Sequence, residues 1–307
     1  MDNSEQSKGK LKAVLQALLV TFLWATSWVL IKIGLENIPA LTFAGLRYFI
    51  AFLVLLVVFF RSGQHKSIRS LTRRDWLILI ALGLVFYTLT QGTQFLGLKY
   101  LPAILFSFLL NFTSPVVALM GIPLLQEKLT RLQWVGMGFF LVGVVVYFYP
   151  IGIQAGMALG VAIGLFSMFA NSVASILGRF INRAGNLEPL TVTVVSMGVG
   201  AMALLGSGLL VEEMPRLDIS GWGIILWLAV VNTAVAFTLW NRTLRTLSAA
   251  ESSMINNTML VQIAILAWFF LGERPTVQEW GGMGIVVVGV ILVTLRRDKV
   301  VTEEESV

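Results

Sequence analysis

The chain has 307 residues, of which 57% are apolar and only 12% charged, with a net charge of +6. Soluble domains run near ~45–50% apolar and ~25% charged. The composition therefore excludes a soluble globular enzyme, a disordered chain and a nucleic-acid binder, and it points to a polytopic membrane protein. The absence of cysteine removes disulfides, thiolate metal sites and Cys nucleophiles.

In chain order, apolar runs between polar breaks predict ten spans, over residues 12–33, 41–60, 76–97, 102–124, 132–149, 154–178, 189–211, 221–241, 249–271 and 279–295. Each is near the about 20 residues that a helix needs to cross a bilayer. Lys8, Lys10 and Lys12 precede an apolar run that is longer than a signal-peptide core, so it is expected to stay as the first span. Pro39, Pro102 and Pro189 lie at or just before helix starts, where a missing N–H costs nothing. Thr130-x-x-Gln133 and Thr276-x-x-Glu279 read as capping boxes that open spans five and ten. Gly152, Gly156, Gly160 and Gly164 form a small-residue stripe for close helix approach in span six.

Basic residues set the orientation. With the N-terminus inside, 17 of the 22 Lys and Arg fall in inner segments and four in outer ones. The remaining one, Arg47, lies inside span two. This is the positive-inside pattern. Both tails are basic, so both are expected to be cytoplasmic and the number of spans even.

The chain also resembles itself. Lys99–Val146 aligns without a gap on Arg245–Leu292, a shift of 146 residues, with 15 of 48 positions identical. The shared residues include Asn111/Asn257, Glu127/Glu273, Thr130/Thr276, Trp134/Trp280, Gly136/Gly282 and Gly143/Gly289. Five predicted spans separate each residue from its mate. An odd number turns the second copy upside down, which predicts an inverted repeat about an axis in the membrane plane. The expected domains are residues 1–150 and 151–307, five helices each. Such a repeat favours a transporter, because each half can adopt the conformation of the other.

At this point a family resemblance becomes specific. The segments LLVTFLWATSWVLIKIGL and AGLRYFIAFLVLL resemble the drug/metabolite transporter superfamily, specifically its ten-helix EamA-type permeases. So do LKYLPAILFSFLLNFTSPVVALMGIPLLQEKLT with LQWVGMGFFLVGVVVYF, and the second-copy LGERPTVQEWGGMGIVVVGVIL. Gln126 departs from the pattern where the second copy has Gly272. The resemblance implies a helical membrane transporter and says little about substrate.

Polar residues inside spans are the site candidates. Arg47 is the sole basic one, either an anchor for a substrate carboxylate or gate element, or a residue that snorkels or pairs with backbone carbonyls. Asn111 shares a face with Ser107 and Ser114, and Pro115 deprives the Asn111 carbonyl of its helical partner. With its mate Asn257, it either meets a ligand or bonds between helices. Tyr87, Gln91 and Gln94 share an i, i+4, i+7 face that lines a cavity or a packed interface. Trp240 corresponds to Gln94 in the second half. Trp24 and Trp28 lie mid-span, for stacking on a flat or cationic ligand or as packing bulk. Asn171 stands at comparable depth in span six. Glu127 and Glu273 are read as structural groups near a helix N-terminus.

No Asp or Glu lies mid-span, and span one lacks the carboxylate of the four-helix multidrug exporters in the same superfamily. Obligatory proton exchange through a central carboxylate is disfavoured. With Arg47 alone at depth, so are phosphorylated substrates. The sole histidine, His65, sits in a basic inner loop, and nothing suggests a metal, a cofactor or catalysis. The expectation is an all-α plasma-membrane permease, monomer or homodimer, without nucleic-acid partners, that exports small neutral or zwitterionic metabolites such as amino acids, aromatic ones in particular. The alternatives are a multidrug exporter of cationic compounds and a membrane scaffold or receptor.

Overall fold

The structure, a computed structural model, describes residues 3–125, 129–149, 155–184, 187–213, 216–243, 246–247 and 249–294. These residues form helices and turns, with no strand among them. The main helical segments are α1 (Asn3–Gly34), α2 (Ala40–Arg61), α3 (Arg73–Tyr100), α4 (Ala103–Leu124), α5 (Arg131–Phe148), α6 (Ala158–Ala184), α7 (Pro189–Val211), α8 (Ile219–Trp240), α9 (Ala249–Leu271) and α10 (Val277–Thr294). Eight helices are long and apolar enough to cross a membrane; in α9 and α10 the described apolar stretches, Ile255–Leu271 and Val277–Val293, are shorter.

Both expected capping boxes form. Thr130 Oγ1 accepts from Gln133 N while the Gln133 amide oxygen accepts from Thr130 N at 2.9 Å. Thr276 and Glu279 repeat the exchange at 3.2 and 2.6 Å. Thr72 and Asp75 make a third, at the start of α3. Helices α2 and α4 start differently. Each follows a proline, Pro39 or Pro102, that has no side chain to cap the helix. Their free N–H groups go instead to carboxylates from distant segments. Glu212 accepts from Leu41 N and Thr42 N at 3.1 and 2.8 Å, and Glu273 from Ala103 N and Ile104 N at 2.6 and 2.9 Å. Glu273 thus does sit at a helix N-terminus, but that of α4, not the helix that follows it. Glu127 and Gly152 lie outside the described residues.

Three segments depart from regular α-helix. In α3, Gly83–Thr90 is a π-helix, and in α8, Val230–Val235 is another. In each, a threonine hydroxyl donates to the carbonyl five residues back, Thr90 to Val85 at 2.9 Å and Thr233 to Leu228 at 2.8 Å. Helix α4 is interrupted at Phe112, three residues before Pro115, which offers no N–H to the Asn111 carbonyl.

The packing is reciprocal. Helix α5 runs along α10, and α2 along α7. Helix α1 meets α8 and α9, as α6 meets α3 and α4. Where α5 crosses α10, the backbones touch through glycine. A Cβ on Gly136 meets the Gly289 carbonyl at 2.8 Å, and one on Gly289 meets the Gly136 carbonyl at 2.7 Å. A Cβ on Gly143 meets the Gly282 carbonyl at 2.8 Å, and one on Gly282 meets the Tyr147 backbone at 2.7 Å. Gln133 Nε2 donates to Val293 O at one end of this pair, and Gln278 Nε2 to Val146 O at the other. In the expected stripe of α6, Gly160 and Gly164 are packed against Leu101 and Leu109 of the α4 region, while Gly156 faces open space.

The α5–α10 contact yields a sharp test. Gly289→Val forces the two backbones apart, and a loss of about 1–3 kcal/mol is expected, the usual cost of overpacking. Gly284→Val, whose Cβ meets nothing within 4 Å, is expected to be neutral. Thermal unfolding of the purified variants in detergent measures both. Equal shifts for the two would overturn the close-approach account.

Candidate functional site

A cavity of about 450 Å³ lies among α1, α2, α3, α4, α6, α8 and α9. Helices α5, α7 and α10 contribute nothing to its lining. The wall is strongly polar for a helical interior. It carries Ser27 and Trp28 from α1, Arg47 and Tyr48 from α2, Thr90, Gln91 and Gln94 from α3, and Ser107, Asn111, Thr113 and Ser114 from α4. Asn171 and Ser175 of α6 and Asn256 and Asn257 of α9 complete the polar set, with Trp24, Phe86 and Phe237 as aromatic walls. Among the described residues no Asp or Glu lines it, and Arg47 is the one ionic group on the wall.

The structure brings eight of the ten sequence candidates to this cavity: Trp24, Trp28, Arg47, Gln91, Gln94, Asn111, Asn171 and Asn257. Tyr87 and Trp240 are not on its lining. Tyr87 is 4% exposed and packs its ring against Tyr48 and Phe86, with centroids 5.6 and 4.9 Å away. The cause is the π segment. It holds more residues per turn than an α-helix, so Tyr87 does not share the face that i, i+4 spacing assigns it with Gln91. Trp240 stands behind Trp24, with ring centroids 5.2 Å apart, and packs with Ala13, Ala17 and Leu247.

The side chains divide into tied and untied groups. Arg47 is 5% exposed, eight residues into α2. Its Nε donates to Thr233 Oγ1 at 3.1 Å, and its guanidinium carbon lies 5.2 and 6.0 Å from the ring centres of Tyr48 and Phe95. It therefore does not snorkel. Tyr48 donates its hydroxyl to Gln91 Oε1 at 2.7 Å, which leaves the Gln91 amide group as a donor. Asn111 Nδ2 turns back on its own helix, to Ser107 O at 2.8 Å. Asn171 Nδ2 reaches Thr113 Oγ1 at 3.3 Å. Asn257 Nδ2 is shielded from solvent and has no hydrogen-bond partner among the described residues.

Below the cavity, Asn232 ties α8 to α1. Its Nδ2 reaches Leu23 O, Thr26 Oγ1 and Ser27 Oγ, the last two at 3.0 and 2.8 Å. Lys32 closes the far end of α1, with Nζ donating to Leu98 O and Leu101 O at 2.6 and 2.7 Å. Sequence reasoning missed, among others, Tyr48, Asn256 and Phe237 on the lining. Adjacency to Arg47 and to Asn257 was a usable signal for the first two. Phe237, one aromatic among many apolar neighbours, offered none.

Comparison with known proteins places the chain. The EamA-like transporter family model matches residues 11–149 and again 158–295. The chain is 27% identical over 282 residues to the uncharacterized inner membrane transporter YedA of Escherichia coli K12, covering 89% of this chain and 87% of that one. It is 24% identical over 265 residues to the uncharacterized transporter YyaM of Bacillus subtilis, covering 83% and 85%. A solved crystal structure at 18% identity superposes with a TM-score of 0.68 over 92% of this chain and 97% of the other, which shows a common fold. The chain, with its apolar helices around a polar cavity, belongs to the EamA-like transporter family.

Proposed function

We propose that the protein is a plasma-membrane permease of ten spans, in two inverted halves over residues 1–150 and 151–307, with both tails cytoplasmic. It exports small neutral or zwitterionic metabolites by alternating access. Amino acids, aromatic ones in particular, are the favoured class. The observation that carries this reading is the cavity itself, a polar chamber of about 450 Å³ walled by Gln, Asn, Ser and five aromatic residues, with a single ionic group among the described residues. Its amides and hydroxyls suit a ligand that makes several hydrogen bonds, and Trp24, Phe86 and Phe237 suit a flat side chain.

The inverted repeat draws support from the reciprocal helix pairs and from the two family matches along the chain. The π segments add to it. Gly83–Thr90 shifted by 146 residues overlaps Val230–Val235. The inward tails draw support from the 17-to-4 split of basic residues. With no carboxylate on the cavity wall among the described residues, flux is expected to follow the substrate gradient rather than a proton gradient.

Purified protein in liposomes, loaded with a panel of amino acids, tests the activity. Saturable efflux that persists without a pH gradient is the expected result. Strict dependence on a pH gradient would sink the facilitator mechanism, and efflux of cationic dyes alone would favour a multidrug exporter. Gln91→Ala and Asn111→Ala are each expected to slow efflux about 2- to 10-fold, the range for one lost hydrogen bond. Unchanged rates in both would remove the cavity from the transport path.

Topology can be read on the same protein because it has no native cysteine. Single cysteines at Ser62 and Glu213, both outside the apolar spans, are probed with a membrane-impermeant maleimide on intact cells. Labelling is expected at position 213, and at position 62 only after permeabilisation. The opposite pattern would invert the orientation, and labelling of both would break the even-span arrangement.

A further inference from the structure

We infer that Arg47 is the binding group for a substrate carboxylate, held in a fixed orientation by Thr233, and that this makes the site selective for carboxylates over amides and amines. This rests on reading the cavity as the substrate chamber.

The inference starts from an uncompensated charge. Arg47 is 5% exposed and lies about 10 Å along α2 from its start. A guanidinium at that depth costs several kcal/mol unless paired or wetted. Among the described residues no carboxylate forms an ion pair with it, and its only hydrogen bond is from Nε to Thr233. The rings of Tyr48 and Phe95 soften the charge without cancelling it. The nearby chamber is equally one-sided, since its lining holds no acid among the described residues. Among the described residues the wall therefore carries a cation without a counter-ion.

The second observation is how that cation is held. The Thr233 hydroxyl donates its proton to Leu228 O at 2.8 Å, which turns its lone pair toward Arg47 Nε. Thr233 is fully buried and off the cavity lining, so it touches Arg47 from behind. With Nε used, the two terminal nitrogens remain. They form the planar fork that donates to both oxygens of a carboxylate. Thr233 is thus a positioning residue and Arg47 the binding one. The ammonium of an amino acid finds no acid on the wall. It is left with amide oxygens and ring faces, and so adds little to affinity.

Binding to the purified full-length protein in detergent, read by quenching of tryptophan fluorescence, tests this. The probes are L-phenylalanine, 3-phenylpropionate, L-phenylalaninamide and 2-phenylethylamine, with the leucine, 4-methylpentanoate and leucinamide series beside them. The carboxylates are expected to bind at least about tenfold more tightly than the amides and amines, the value of one charge-assisted bond. Phenylpropionate is expected to stay within about threefold of phenylalanine, the weak contribution of a cation at ring faces. Arg47→Gln removes the preference and Arg47→Lys restores part of it. Thr233→Val narrows the preference and Thr233→Ser, which keeps the hydroxyl, rescues it. A purely structural Thr233 would alter stability and leave the ratio of affinities alone. Amides or amines that bind as well as acids overturn the inference. So does an unchanged preference in a monodisperse Arg47→Gln or Thr233→Val protein, and so does a panel in which no carboxylate binds at millimolar concentrations. Chloride in place of gluconate that abolishes carboxylate binding would assign Arg47 to an inorganic anion instead, also against the proposal. These outcomes are separate from the permease reading, which stands or falls on liposome flux of any substrate.

Discussion

Inside a bilayer no water is available for an unpaired N–H or C=O, so the protein must satisfy each one internally. Much of this fold follows from the places where a single helix fails to do so. Helices α2 and α4 begin after prolines with bare N-terminal amides, and Glu212 and Glu273 reach in from other segments to accept from them. At the end of α3 the mirror problem arises with carbonyls, and Lys32 donates to those of Leu98 and Leu101. A carboxylate at a helix N-terminus and a cation at a C-terminus are both favourable with respect to the helix dipole. These ties bring together Lys32, Leu41–Thr42, Leu98–Ile104, Glu212 and Glu273, and so fix how far the helices can spread at that end.

The rest of the molecule separates holding from binding. Helices α5 and α10 meet backbone to backbone through glycines and close the ends of their contact with two glutamine–carbonyl bonds. Lipid supplies no hydrophobic drive between helices, so such close van der Waals packing is what remains to hold them. That pair lends no side chain to the cavity. The cavity helices are joined differently, by polar side chains such as Asn232 and Asn171; two of them carry π segments, that of α3 on the cavity wall and that of α8 behind it. Rigid packing lies away from the chamber, and irregular backbone lies beside it.

The sequence made the helices legible because a span is encoded by twenty residues at once, and the capping boxes because each is local. It made Gln91, Gln94, Asn111 and Arg47 legible because a polar side chain at depth has few places to go. The failures share a cause. Tyr87 was placed by i, i+4 spacing, which assumes regular helix, and the π segment that breaks the assumption has no proline or glycine pair to announce it. Trp240 was placed by symmetry with Gln94, but a tryptophan at the same position fills the space behind Trp24. The partner of Glu273 lies 170 residues away in the chain, and nothing local distinguishes a cap for its own helix from one for another. The self-similarity is readable at positions such as Asn111 and Asn257; what each position does depends on which side chain occupies it.

One such position is Arg47, whose charge is handled by two helices together. Arg47 belongs to α2, yet the group that orients it belongs to the π segment of α8. Thr233 in turn spends its proton on Leu228, a carbonyl that regular helix would have used itself. Any displacement of α8 against α2 must therefore break the Nε–Thr233 bond or carry the guanidinium with it. On the α3 side, Thr90 closes the other π segment and its carbonyl accepts from Ser167 of α6 at 3.2 Å. Both irregular turns are thus tied across the chamber walls to another helix. A ligand shifts an equilibrium only by the difference in its affinity for the two states. A charge on Arg47 has such a difference available, since the orientation of the guanidinium depends on where α8 stands.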